Sequence, residues 1–158
     1  MHAKIYQVTR EELSRDEYIT FDSYEPLQVS NYCDYTGEVY EYEEEDCLKS
    51  LDRILEGVFY REGRTLTYVG AENFMYEFVE AIKKSASELT VEKMKDWRTM
   101  FALKRLLDET HIEYEHRFVF GPDQEAFPES LGEFMQEVYV TLKPGDKLYV
   151  GGIVDFHY

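Results

Sequence analysis

The residues with the means to do chemistry in this chain are scattered, and their spacing decides what each group can offer. His111, Glu113, Glu115 and His116 form the most suggestive metal set. In an extended strand, alternation places His111, Glu113 and Glu115 on one face and turns His116 to the other, so at most three ligands align. Arg117 beside them makes a solvated charged face the simpler expectation. The run Glu41, Glu43, Glu44, Glu45, Asp46 has oxygen ligands enough for calcium but lacks the spaced Asp/Asn loop that folds around the ion. Neither set predicts a bound metal, and no cofactor motif is present.

Nucleophilic chemistry has little support. There is no Gly-x-Ser-x-Gly elbow and no His-Glu-x-x-His pair. Cys33 sits in NYCDY, where Asp34 and tyrosines disfavour a thiolate, and Cys47 falls on an apolar stripe as a packing residue. Gly151-Gly152 is followed by no helix and no Gly-Lys-Ser/Thr, so it reads as a strand bend or bulge and not as a phosphate loop.

One stretch does present a recognisable chemistry. From Tyr18 to Tyr42, Tyr24, Tyr32, Tyr35, Tyr40 and Tyr42 are interleaved with acids that include Asp34, Glu38 and Glu41. Tyrosine supplies broad amphipathic contact area at low entropic cost, and carboxylates meet Lys or Arg across an interface. These eight residues are the expected contact set of a binding surface. The competing expectation is that the rings pack over a sheet and leave only their hydroxyls wet.

Charge points the same way. The chain of 158 residues carries 33 Asp and Glu against 17 Lys and Arg, a formal net charge of −16. Residues 1 to 60 hold 15 acids and 5 bases, net −10, and the remainder hold 18 and 12, net −6. Such a surface disfavours nucleic acid and anionic membranes, whose binding depends on cationic side chains, and favours a basic protein as partner. No apolar run approaches the roughly 18 residues of a membrane span, and the N-terminal residues do not resemble a signal peptide, which together predict a cytoplasmic protein.

Positioning these groups requires a scaffold, and periodicity supplies one. Ala3 to Thr9 alternates as a first strand. Residues 10 to 22 read as a helical turn or loop, and 23 to 42 as a long irregular connection. Cys47, Leu48, Leu51, Ile54, Leu55 and Val58 recur at helical spacing behind the acidic run, which suits the positive end of the helix dipole. Gly57 to Gly70 predicts a hairpin turning at Glu62-Gly63.

Two further helices are expected, over 71 to 89 and, capped by Thr90, over 91 to 108, the latter mostly buried. His111 to Phe120 predicts an antiparallel strand with one wet face, and Pro128 to Leu142 a last helix stopped by Lys143-Pro144-Gly145-Asp146. Two closing strands, Lys147 to Val150 and Ile153 to Tyr158, are expected beside the first strand. Asp155 and His157 share a face there, suiting a hydrogen-bonded pair at a sheet edge.

This order predicts a single α+β domain, with a largely antiparallel or mixed sheet packed against about four amphipathic helices. The expected function is a small acidic binding or inhibitory module that engages a basic surface through its N-terminal part. The alternative is an enzyme or small-ligand domain with an aromatic pocket near His111 to His116 and the C-terminal strands.

Overall fold

A computed structural model describes residues 2–24, 35–100 and 116–157. It shows an α+β domain with a mixed six-stranded sheet and four helices. The strands are β1 (His2–Thr9), β2 (Tyr35–Glu38), β3 (Phe59–Glu62), β4 (Thr65–Tyr68), β5 (Arg117–Phe120) and β6 (Lys147–His157). The helices complete within the described residues are α1 (Glu44–Ile54), α2 (Glu72–Ser87) and α3 (Leu131–Thr141), and a further one begins at residue 97.

β6 is the strand on which the sheet is built. The order is β3-β4-β6-β1-β5, with β2 also paired to β6 beyond the end of β4. The two expected closing strands are therefore one continuous strand of 11 residues. Gly151-Gly152 is a bulge within it: Tyr6 pairs with Ile153 and Val8 with Val150, so β6 carries one residue more than β1 across that interval. A bulge resets side-chain alternation. Leu148 and Val150 accordingly face one side of the sheet, whereas Val154 and Phe156 face the other.

Each side has its own core. On the helical side Tyr6, Val8, Phe118, Leu66 and Leu148 meet Cys47, Leu48 and Leu51 of α1 and Leu131, Phe134, Met135 and Val138 of α3. The Phe118 and Phe134 rings stack there at 4.4 Å. On the opposite side Ala3, Ile5, Val119, Val154 and Phe156 are covered by Ile19 and Tyr24, from a segment holding two short 3-10 turns, Arg15–Glu17 and Phe21–Ser23. Gln124 ties that cover down through bonds from its side-chain amide to the carbonyls of Asp16 and Tyr18, each 3.0 Å.

Several local expectations need correction. β5 is parallel to β1, not antiparallel, and has no wet face, because α3 covers Phe118 and the 19–24 segment covers Val119. Part of the expected irregular connection is strand β2. The hairpin turns at Gly63-Arg64, one residue later than expected, since Glu62 pairs with Thr65 and Gly63 takes φ +60°.

The helix expected over 91 to 108 is interrupted. The Thr90 hydroxyl accepts the Lys93 backbone N–H at a single turn, Lys93–Lys95, and Asp96 accepts from the Arg98 backbone N–H at the start of the next helix. Its described apolar residues are exposed, Trp97 at 74%, which reverses the expectation of burial. The last helix starts at Leu131 and not at Pro128, because Ser130 and Glu133 form a reciprocal capping box. Among the described residues no helix is long and apolar enough to cross a membrane.

Candidate functional site

The tyrosine-bearing stretch is positioned by β2 and by the first turn of α1. Antiparallel pairing with β6 sets Tyr35 opposite His157 and Glu38 opposite Val154. The chain then turns through residues 39 to 43, held by Glu43, whose backbone N–H donates to the Tyr40 carbonyl and whose carboxylate accepts from the Tyr40 N–H. This turn brings the Tyr40 and Tyr42 rings face to face at 5.6 Å and 5°, with 52% and 79% of the residues exposed. A stacked aromatic pair in water shields only its inner faces, so both outer faces remain available to a partner.

Acids surround the pair. Glu41 is exposed and meets Arg15 at 3.6 Å. Glu44, Glu45 and Asp46 occupy the first turn of α1, as expected of carboxylates near the unpaired amides of a helix start. Two of them are paired: Glu44 with Arg64, and Glu45, which stays exposed, with Arg61 at 3.7 Å. Glu38, Glu41 and Glu43 are left on the exposed side of the turn.

Beside this face lies a depression of about 240 Å³. Glu38, Val39 and Glu44 form one wall, Tyr18 to Phe21 the other, and Gly152 and Ile153 the floor. Arg64 closes one end. Its guanidinium donates to the carbonyls of Val150, at 3.0 Å, and Gly151, pairs with Glu44, and lies 5.2 Å from the centre of the Tyr18 ring. These contacts lock a cation whose charge is already compensated.

Gln7 ties the floor of the depression to its wall. The Gln7 side chain, fully buried, accepts from the backbone N–H groups of Ile19 at 3.0 Å and Gly152 at 2.9 Å, and donates to the Glu17 carbonyl at 3.2 Å. Three of the amide's four hydrogen-bonding positions are thus engaged by a side chain that is itself buried.

The expected contact residues divide. Tyr35, Glu38, Tyr40, Glu41 and Tyr42 are exposed along one stretch of chain. Tyr24 is instead a core residue, 4% exposed among Ile5, Ile19 and Phe156. Tyr32 and Asp34 lie outside the described residues, as do Cys33, His111, Glu113 and Glu115.

His116 caps the end of β1: its Nδ1 accepts the Lys4 backbone N–H at 3.2 Å. Cys47 is buried, and burial pushes its thiol above the usual range. Among the described residues no group of three or more His, Cys, Asp or Glu converges as a metal site. Sequence reasoning missed Gln7 and Arg64, and placed Tyr18 in the tyrosine-rich stretch without counting it among the contact residues. The Gly151-Gly152 pair was the one local signal of a close approach at this place. Comparison with models of protein families, with curated proteins and with solved structures finds no match.

Proposed function

We propose that the protein is a small cytoplasmic binding or inhibitory module that engages a basic protein surface through the face formed by β2, the 39–43 turn and the start of α1. The observation that carries this reading is the exposed Tyr40–Tyr42 stack beside Glu38, Glu41 and Glu43. Rigid aromatic rings supply interface energy, and the flanking carboxylates steer and orient a cationic partner. The net charge of −16 favours approach of such a partner and opposes approach of nucleic acid.

The test separates the rings from the charge. A panel of purified basic proteins is titrated with the parent chain and with a Tyr40→Ala/Tyr42→Ala variant, whose net charge is unchanged. Affinity for a partner should fall by about tenfold or more. A Glu77→Gln/Glu80→Gln variant on α2, which loses two charges elsewhere, should bind nearly as the parent does. Affinity that follows net charge alone, with the double tyrosine variant unaffected, would remove the reading. Duplex DNA serves as the opposite probe and should not bind.

A further inference from the structure

His2 and His157 lie opposite each other on β1 and β6, His2 exposed and His157 half-buried. Directly paired residues on antiparallel strands have Cβ atoms about 5 Å apart, close enough for two imidazoles to share an ion. Their ring centres are 5.2 Å apart, and the planes cross at 70°. A nitrogen-bound divalent metal sits about 2.0–2.1 Å from each donor, and the ring centre lies roughly 1 Å beyond it. Two imidazoles at a tetrahedral angle on one ion therefore have centres about 5 Å apart. The plane-to-plane angle is not restricted by such binding.

The surroundings of both rings also suit a ligand role. The His2 Nδ1–H donates to Asp155 Oδ2 at 2.8 Å, which leaves the lone pair on Nε2 and supplies the carboxylate backing common behind metal-binding histidines. The His157 ring lies parallel to that of Tyr35, 5.1 Å between centres and 4° between planes, so its plane is set. Tyr35 is itself the cross-strand partner of His157 on β2, which makes His2, His157 and Tyr35 one row across three strands. Lys4 neutralises Asp155 from β1, so the carboxylate orients His2 without being an open ligand.

We propose that His2 and His157 form a two-imidazole chelate for a late first-row divalent metal, with water completing the coordination. Imidazole donors select Cu²⁺, Ni²⁺ and Zn²⁺ over the oxygen-seeking Mg²⁺, and Cu²⁺ binds tightest of the series. The proposal is independent of the tyrosine face and of any protein partner.

The test is calorimetric titration of the full chain, stripped with a chelator, with CuCl₂, NiCl₂, ZnCl₂ and MgCl₂ in turn. One ion per chain should bind, Cu²⁺ tightest and Mg²⁺ not at all. His2→Gln and His157→Gln should each lower Ni²⁺ affinity by about tenfold or more, Asp155→Asn by about tenfold to a hundredfold, and His116→Gln not at all. Parent-like binding by both His2→Gln and His157→Gln would overturn the proposal. Should a variant not fold, proton NMR of the parent decides. Sub-stoichiometric Cu²⁺ should broaden the resonances of His2 and His157 ahead of the other two of the 4 histidines, and equal broadening of all would overturn it.

Discussion

Gly152 lies against the backbone of Ile19 with no room for a methyl group: a Cβ built on it would sit 2.2 Å from the Ile19 carbonyl oxygen and 2.7 Å from its nitrogen. The bulge in β6 and the segment that covers the second core are therefore fitted to each other by backbone contact, where no flexible side chain can give way. Gly152→Ala must push the 15–24 segment off the sheet or distort the bulge. The expected loss is about 1–3 kcal/mol or more, read as a lower urea midpoint with an unchanged slope. A midpoint equal to that of the parent would show that the contact is not maintained in solution.

Gln7 provides the polar side of the same contact. Gln7→Leu keeps the volume but leaves the buried N–H groups of Ile19 and Gly152 without their acceptor, each at about 1–3 kcal/mol. Urea unfolding should register the loss, and amide exchange at Ile19 should quicken more than in α3. Uniform change across the chain would indicate a global effect and not a released segment.

Tyr24 and Tyr6 give the protein an alkaline limit. Burial pushes both phenols well above their ordinary range, and burial raises the Cys47 thiol as well. A raised folded-state pKa on an acid means that the folded state keeps its proton when the unfolded state has lost it. Stability from these groups is thus complete below their unfolded values, about 8.5 for Cys and 10 for Tyr, and declines as pH rises beyond them. Thermal melts from pH 7 to 11 should show this decline. Among the described residues the Tyr24 hydroxyl has no hydrogen-bond partner, so Tyr24→Phe should match or exceed the parent at pH 7 and flatten the alkaline slope. A Tyr24→Phe variant clearly less stable at pH 7 would mean that the hydroxyl is satisfied.

Ser130 begins α3 by accepting the Glu133 backbone N–H, while the Glu133 carboxylate accepts the Ser130 N–H at 2.7 Å. Ser130→Ala should cost about 1 kcal/mol in urea unfolding, because one of the unpaired amides at the helix start loses its acceptor. Ser130→Asp, which restores an oxygen at that place, should recover most of it. Equal loss in both variants would point to packing at this buried position and not to capping.

Local signals in the sequence account for most of the elements, though not for β2. The apolar stripe through Cys47, Leu48 and Leu51 lies on α1 and is buried, and the Gly63 turn joins β3 and β4. The same logic failed at residues 91 to 100, because helical spacing of Met94, Trp97 and Met100 states a period and not what covers it. It failed at β5 as well: Phe118 and Val119 alternate in either strand direction, so alternation cannot reveal a parallel neighbour or a second layer. Of the candidate contact residues, Tyr24 shows the same limit, since one side-chain type serves a core and a surface equally.

What the residues determined alone was the class of the domain, its acidic character and most of its strands and helices, β2 and the break after Lys95 excepted, since each follows from contacts a few positions apart. Local residues left Gly151-Gly152 as a bend or bulge between two strands, and tertiary structure decided that it is a bulge inside one. A single extra residue sends Leu148 and Val150 to one core and Val154 and Phe156 to the other, although their even spacing reads as one face. It also decided that Gln7 would find Ile19 and Gly152, and that His2 and His157, at opposite ends of the chain, would become neighbours. Pairing across 145 and more positions is set by how two layers fit on one sheet, and no local pattern records that fit.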